Sequence, residues 1–206
     1  MKLHPAASPS PAPGAPPALP ALRAATRGHH ERLDRLIDLR RLRDARRYGR
    51  VLQVLDGFLA PWEASVAAAL PPAWEAWLRK RSRRAFLQRD LGVLGLAAGH
   101  RPRPMPSLPT AGAAWGSVYV MEGSALGGQV ITRSLADAGL RPDRGAAYFH
   151  GWGPATGAMW KEVRLLLDQQ LADPDTLAQA CAGACATFDA LAFHLETALH
   201  ERPPLA

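Results

Sequence analysis

Cysteine is scarce in this sequence: only two occur among 206 residues, and Cys181 and Cys185 lie four positions apart in a helical pattern. This spacing suits small side chains on one face of a helix and excludes a disulfide framework. Long apolar runs are also missing, since no stretch of roughly 18 apolar residues occurs, and the sequence therefore predicts no membrane-spanning helix. The Pro- and Ala-rich N terminus lacks the apolar core of a secretory signal, so we expect a cytoplasmic protein.

Strand signals are nearly absent as well. Clusters of β-branched residues are few, and no apolar alternation is closed by an Asn-Gly or Asp-Gly turn. Helical periodicity is found along nearly the whole chain, with short loops between the helical segments. This pattern predicts one all-α domain, a multi-helix bundle, over residues 21–200, preceded by a disordered leader (1–20) and followed by a tail (201–206).

Apolar spacing and the positions of proline set the expected helices. They cover residues 22 to about 41, 44–60, 62–70, 74 to about 92, 110–138, 156–171 and 173 to about 199. Pro61 marks either the end of the second helix or a kink within a longer one. Residues 101–109 include four prolines and are expected to form an extended connection.

The sequence carries an excess of positive charge, with a formal net charge of +7. Basic residues are concentrated in two stretches, 40–50 and 79–84. A basic surface attracts nucleic-acid phosphate, but the sequence contains no helix-turn-helix, zinc-finger or RNA-binding aromatic motif. Arginine as the ordinary solvated residue of an Ala-, Arg- and Pro-rich chain is a simpler explanation. An acidic small-molecule ligand or an acidic redox partner also accounts for the charge better than nucleic acid does.

Two adjacent histidines, His29 and His30, lie in the first predicted helix. Positions 22, 26, 30, 33 and 37 share one helix face, so His30 joins Leu22, Leu33 and Ile37 on an apolar stripe. A neutral imidazole that projects from a rigid helix into an apolar cavity is a suitable axial ligand for haem iron. A core histidine with a local hydrogen bond is the commoner explanation of such a position. His29 borders the same stripe, and spacing alone does not choose between the two.

The predicted helix at 110–138 is apolar almost all round, which indicates burial, yet it contains five glycines. Each interior glycine costs about 0.5–1 kcal/mol relative to alanine. Gly123 and Gly127 share a face, with Gly128 beside it. The missing Cβ atoms allow the backbone to approach something flat, such as a macrocycle, or allow the helix to bend. A seam of small residues that packs against another helix explains the pattern at least as well.

The histidine and the glycines occur within two longer motifs. Leu-Arg-x-x-Thr-x-x-x-His-x-x-Leu-Asp begins at Leu22, and Tyr-Val-x-Glu-Gly-Ser-x-Leu-Gly-Gly-Gln-Val-Ile begins at Tyr119. With these motifs the chain resembles the haem oxygenases, most closely the bacterial members that supply biliverdin to phytochromes. The resemblance extends from about Leu22 to about Leu195. Weaker similarities lie at residues 84–91, 156–160 and 186–188.

The resemblance implies a haem site. His30 is the implied proximal ligand of the iron, because the family's histidine lies four residues after the threonine, which is Thr26 here. The implied catalytic positions on the distal helix are Gly123, Ser124 and Gly127. The implied haem-binding residues include the glycines Gly123, Gly127 and Gly128. Three cations are implied to hold the haem propionates: Arg23, Arg27 and Lys161. Phe188 is the implied aromatic residue of the pocket.

One position departs from the animal-type members of the family. They carry an aspartate after the first distal glycine, where it anchors the water chain that delivers protons. This sequence has Ser124 there, which can hold a water but carries no charge. Backbone carbonyls and water at the helix kink are then the expected source of protons.

The implied activity is that of an enzyme that cleaves haem to biliverdin with release of iron and carbon monoxide. Haem is both substrate and cofactor, dioxygen is the co-substrate, and the electrons come from outside. The implied partners are a ferredoxin or flavoprotein electron donor and a phytochrome that receives biliverdin, with no membrane and no nucleic acid. Two alternatives belong to other classes: a non-catalytic haem carrier or sensor on the same fold, which the missing aspartate favours, and a helical scaffold or nucleic-acid binder.

Overall fold

The computed structural model describes residues 17–98 and 105–200. Within these two ranges it contains eight α-helices and no β-strand, in agreement with the all-α prediction. The helices are α1 (Ala18–Ile37), α2 (Ala45–Ala69), α3 (Glu75–Lys80), α4 (Arg84–Val93), α5 (Ala111–Leu135), α6 (Ala147–His150), α7 (Thr156–Gln170) and α8 (Pro174–His200). Most of the predicted leader, the whole predicted tail and part of the predicted connection at 101–109 lie outside the described residues.

The first two helices extend beyond their predicted bounds. α1 begins at Ala18, so residues 18–20 belong to this helix and not to the leader. Pro61 was expected either to end the second helix or to lie within a longer one. α2 runs through Pro61 without a break, so the longer helix forms. Buried side chains on both sides of the proline, Phe58 and Trp62, supply the packing that carries the helix across it.

The prediction of one helix over residues 74–92 is wrong. The structure has two helices there, α3 and α4, separated by a turn at residues 81–83. Periodicity favours a continuous helix, but Arg81 and Arg83 are each only 6% exposed, and their side chains reach across to polar groups of α5. A buried guanidinium without such partners is strongly destabilising. The tertiary contacts therefore outweigh the local preference for helix.

The core forms where α5 and α8 pack on each other and on α1 and α2. α5 starts after Thr110, whose hydroxyl accepts a hydrogen bond of 3.2 Å from the backbone N–H of Ala113. The apolar positions predicted for α2 and α5 are confirmed as buried: Val51, Leu52, Leu55, Phe58, Ala113, Trp115, Val118, Val120 and Met121.

α6 is held in place by Asp90 of α4. The carboxylate of Asp90 accepts hydrogen bonds of 2.8 Å from the backbone N–H groups of both Ala147 and Tyr148. These are N–H groups of the first turn, which have no partner within the helix, so Asp90 caps α6 from a distant element. Because α6 carries Phe149, this contact also positions the backbone that packs against α5.

Among the described residues, α8 is the one helix that is long and apolar enough to cross a membrane by length and composition alone. In the structure, 44% of its apolar window is buried inside the protein. It packs on α1, α2 and α5, and a core helix meets the same two criteria. The contacts of α8 are those of a core helix.

Candidate functional site

The two adjacent histidines of α1 have different surroundings. Nδ1 of His29 forms a hydrogen bond of 2.9 Å with the carboxylate of Asp189, which ties the ring to α8. The side chain of His30 is 62% exposed, and its ring meets Phe188 edge-on at a centroid distance of 5.7 Å. The His29 side chain is 31% exposed, so His30 is the more open of the two histidines.

Asp34 lies one helical turn after His30. Oδ2 of Asp34 is 3.0 Å from Nδ1 of His30. A carboxylate beside one ring nitrogen favours the proton on that nitrogen and leaves the lone pair on the other, which is how metal-binding imidazoles are oriented. Nε2 is therefore the atom of His30 that is available to a metal. The first sequence motif includes Asp34, and its position four residues after His30 is the signal from which this contact is predictable.

α8 joins the histidine helix to the glycine-rich helix. Oγ1 of Thr187 forms a hydrogen bond of 2.7 Å with Oγ of Ser117 in α5. The next residue of α8, Phe188, contacts His30 in α1 and is itself 5% exposed. Phe188, predicted as an aromatic residue of the pocket, thus lies at the junction of the three helices.

Some glycines of α5 are required by close packing. A Cβ atom added to Gly116 would lie 1.8 Å from the carbonyl oxygen of Ala180 in α8. One added to Gly128 would lie 2.3 Å from the carbonyl oxygen of Phe149 at α6. Gly128 therefore packs on backbone in this structure and does not share the open face predicted for it. At Gly116 and Gly128 the sequence pattern is therefore explained by a seam of small residues that packs against neighbouring backbone.

Gly123 and Gly127 have open surroundings instead. A Cβ atom added to Gly127 would meet nothing within 4 Å, and one added to Gly123 would meet only the Trp160 ring of α7, at an ordinary contact distance of 3.5 Å. Leu126 and Val130 beside them are 39% and 46% exposed. The four residues of α5, Gly123, Leu126, Gly127 and Val130, leave an open, apolar strip along this helix, of the kind that admits a flat ligand.

Two predicted cations lie on the same helix as His30. Arg23 and Arg27 precede it by seven and three residues, which places all three on one face of α1. Both arginines are exposed, and within the described part of the chain neither forms an ion pair. Their guanidinium groups are available to an anionic ligand that approaches His30.

The third predicted cation, Lys161, is exposed on α7. It lines a shallow groove of about 220 Å³ together with Trp160 and Arg164. Because Trp160 also contacts Gly123, this groove borders the open strip of α5. Arg164 is a second basic residue of the groove, and the sequence motifs did not indicate it.

Ser124 is exposed at the edge of the strip and is held by two hydrogen bonds. Its Oγ lies 2.7 Å from the carbonyl oxygen of Met121 and 2.7 Å from Nη2 of Arg83. Nη2 of Arg83 also donates to the carbonyl oxygen of Met121, at 2.7 Å. Arg83 is a site residue that sequence reasoning missed, because the residue it holds lies 41 positions further along the chain.

Arg81, from the same turn, holds the neighbouring residue of α5. Its Nε and Nη2 donate to Oε2 of Glu122 at 2.9 and 2.6 Å, and its Nη1 donates to Glu162 of α7 at 3.2 Å. The guanidinium also stacks on the ring of Trp77, 4.6 Å from its centroid. The basic stretch 79–84 is thus only partly a surface feature, because Arg81 and Arg83 bind Glu122 and Ser124 of α5.

A separate cavity of about 520 Å³ lies between α2, α3 and α5. Its walls include Trp62, Glu63, Trp77 and Glu122, and none of the predicted site residues lines it. The candidate site, called the open region below, comprises His30 with its neighbours and the open strip of α5, and it does not include this cavity.

The residues of the open region fit a haem. An imidazole with an available Nε2 supplies an axial ligand, and a helix face without Cβ atoms admits a flat macrocycle. Exposed guanidinium and ammonium groups match the two propionate carboxylates. Phe188 adds an apolar contact beside the imidazole.

The fold and the sequence both have known counterparts. The solved structure of the NO- and CO-bound haem oxygenase from Neisseria meningitidis matches 91% of this chain and 94% of that chain with a TM-score of 0.72 at 19% identity, a likeness that shows the fold alone. No family model matches the chain. Over 162 residues, which are 78% of this chain and 94% of the relative, the sequence is 33% identical to a haem oxygenase from Xanthomonas campestris pv. campestris (strain 8004). The resemblance inferred from the two motifs is confirmed, and the chain belongs to the haem oxygenase family.

Proposed function

We propose that this protein binds haem through Nε2 of His30 and oxidises it to biliverdin, with release of iron and carbon monoxide. The observation that carries the proposal is the pairing of an accessible imidazole with a Cβ-free face. The His30 ring is 62% exposed, and Gly127 on α5 has nothing in front of it within 4 Å. α8 contacts both helices and holds them at one junction.

The proximal residues of the chain bind and orient the substrate. Asp34 lies beside Nδ1 of His30, so Nε2 is the ring nitrogen left to hold the iron. Arg23, Arg27 and Lys161 pair with the propionates and so set the rotation of the ring in its site. Haem, when bound, supplies the iron and the macrocycle on which dioxygen acts.

The distal residues determine which edge of the ring is exposed to reaction. Gly123 and Gly127 carry no side chain that would keep a flat ligand away from the backbone, so a bound haem would lie close enough to exclude bulk water there. Ser124 holds a water molecule through its hydroxyl and places that water where a proton is needed. No nucleophilic side chain is required for this chemistry.

The partners follow from the electron requirement and from charge. We propose an acidic ferredoxin or flavoprotein as electron donor, since a net charge of +7 favours docking of an acidic protein. We also propose a cytoplasmic location and a phytochrome as recipient of the biliverdin. Turnover that is insensitive to salt would contradict the electrostatic part of this proposal.

The test is an absorption titration of the protein with haem, followed by ascorbate or a ferredoxin system in air. Wild type is expected to develop a Soret band that then decays into the broad red absorption of biliverdin. His30→Ala is expected to lose this conversion, and added imidazole is expected to restore part of it. His29→Ala is the matched control, because the His29 ring is half as exposed as that of His30 and is tied to α8 through Asp189, and this variant is expected to convert haem as wild type does.

The outcomes separate the alternatives. A Soret band that persists under reducing conditions in air would identify a haem carrier or sensor. The absence of any Soret band would exclude a haem site altogether. Conversion that survives in His30→Ala but is lost in His29→Ala would assign the ligand to the other histidine.

A further inference from the structure

Arg83 is a buried cation at the edge of the candidate site. It lies in the turn between α3 and α4, is 6% exposed, and reaches α5 through Nη2. Its guanidinium carbon lies 4.7 Å from the centroid of the Tyr148 ring. Burial raises the pKa of that phenol, so Tyr148 is neutral and does not compensate the charge.

The charge of Arg83 has no carboxylate partner within the described residues. Its polar contacts are the hydroxyl of Ser124 and the carbonyl oxygen of Met121, both at 2.7 Å. In contrast, Arg81 two residues earlier pairs with Glu122 and Glu162. A buried cation held only by neutral groups is less fully compensated than one paired with a carboxylate. This points to a role of Arg83 at the site, in addition to any role in packing.

The hydrogen bonds around Ser124 have only one consistent polarity. A guanidinium has donors and no acceptor, so Arg83 donates and the Ser124 oxygen accepts. A carbonyl oxygen has no proton, so the Ser124 hydroxyl donates its single hydrogen to Met121. The only remaining capacity of this hydroxyl is one acceptor lone pair, which is accessible because Ser124 is exposed.

We propose that Arg83 is a positioning residue that makes Ser124 an obligate acceptor. An isolated serine hydroxyl rotates and can either donate to a water or accept from it. With its proton committed to Met121, Ser124 presents the same polarity as a carboxylate, without the negative charge. A water that donates one hydrogen to Ser124 then has its second hydrogen free to point towards the substrate. This inference rests on the proposed function.

Arg81 supports this arrangement from the other side of the same turn. Its two contacts to Glu122, at 2.9 and 2.6 Å, hold the residue between Met121 and Gly123. Residues 121–124 of α5 are therefore fixed by two guanidinium groups that come from one short turn. The orientation of Ser124 is preset before any ligand binds.

The experiment compares Arg83→Met, Ser124→Ala and the double variant, each loaded with haem. Arg79→Met is the matched control, since Arg79 is an exposed arginine of α3 that pairs only with Glu75. Each single variant is expected to slow biliverdin formation by about 100-fold, the lower end of the range for proton-transfer groups. The double variant is expected to be no slower than either single variant, because the two residues act as one unit. Arg79→Met is expected to match wild type.

A second readout is independent of turnover. The C–O stretching frequency of the ferrous carbon-monoxide complex falls when positive charge lies near the bound ligand. We expect this frequency to rise in Arg83→Met and to stay near the wild-type value in Arg83→Lys, which keeps the charge. Arg83→Lys is expected to be slow in turnover none the less, because the shorter lysine side chain does not place its nitrogen where Nη2 of Arg83 contacts both Ser124 and Met121.

The results distinguish this inference from the proposed function. If wild type forms no haem complex or no biliverdin, the proposed function fails. If wild type converts haem and Arg83→Met does so equally fast, only the role of Arg83 is wrong. Rates in the double variant that equal the product of the two single effects would also overturn it. Should Arg83→Met not fold, judged by circular dichroism, Arg83→Lys with and without Ser124→Ala provides the same cycle.

Discussion

Gly116 of α5 and Ala180 of α8 touch backbone to backbone. A Cβ atom on Gly116 would lie 1.8 Å from the carbonyl oxygen of Ala180, and one on Gly183 would lie 2.2 Å from that of Ala113. Glycine from each helix thus faces the backbone of the other. This crossing holds the two core helices together at close range, while Gly127 further along α5 has no such neighbour.

Gly116→Ala and Gly127→Ala are therefore expected to have opposite effects on the haem-free protein. Gly116→Ala forces the crossing apart and is expected to lower the free energy of unfolding by about 1–3 kcal/mol or more. Gly127→Ala fills open space and removes a helix-interior glycine, so it is expected to leave stability unchanged or raise it by up to about 1 kcal/mol. Urea unfolding followed by circular dichroism measures both.

With haem added, the substitution expected to have the larger effect is the one at Gly127. Gly127→Ala is expected to weaken haem binding or to change the mixture of biliverdin isomers, since the new Cβ projects into the open region. Unchanged affinity and an unchanged isomer would show that this face of α5 does not contact haem.

Asp34→Ala is expected to weaken haem binding by about 10-fold or more, the usual cost of removing the partner of a metal-binding histidine. The carboxylate of Asp34 lies 3.0 Å from Nδ1 of His30 and favours the tautomer that leaves Nε2 as donor. A haem titration followed at the Soret band measures the effect. Glu31→Ala is the control, because Glu31 is an exposed carboxylate of α1 that forms no ion pair within the described residues, and this variant is expected to bind as wild type does.

Arg27→Glu is expected to weaken haem binding or to mix the biliverdin isomers, because a carboxylate then faces the propionates where a guanidinium stood. Arg35→Glu makes the same charge change on a different face of α1 and serves as the control. Product analysis by chromatography reports the isomers. A single isomer at unchanged affinity in Arg27→Glu would remove this arginine from the site.

Asp90 is expected to make stability depend on pH. Burial raises the pKa of this carboxyl above its ordinary value of 3.8, against the opposing hydrogen bonds from Tyr148 and Ala147. The folded protein then holds the proton more tightly than the unfolded chain does. Stability from this group is highest below pH 3.8, falls as the pH rises towards the raised pKa, and is constant above it.

Asp90→Asn removes that dependence and leaves one N–H of α6 without an acceptor, since an amide has a single oxygen. We expect a loss of about 1–3 kcal/mol. Urea midpoints of wild type and Asp90→Asn across a pH series give the difference between the two slopes. Identical slopes would show that Asp90 has the same pKa in the folded and unfolded chains.

Features that depend on neighbours in the sequence were predictable. Thr110 caps α5, and its hydroxyl accepts from Ala113 only three residues later. The buried positions of α2 repeat with helical spacing, so Val51, Leu52, Leu55 and Phe58 were identified correctly. The two motifs identified the family for the same reason, since each lies within a single helix. The break at 81–83 was missed, because its cause is a contact with another helix.

The sequence by itself thus determined the all-α class, most of the helices and the family, because periodicity, caps and contiguous motifs are local properties. Only the tertiary structure decided that His29 is tied to α8 while His30 is more exposed, since the partner Asp189 lies 160 residues away. It likewise decided that Gly128 is packed while Gly127 is open, and that Arg83 is buried against Ser124. Each of these depends on which distant group fills the space beside a residue, and spacing along one helix carries no information about that.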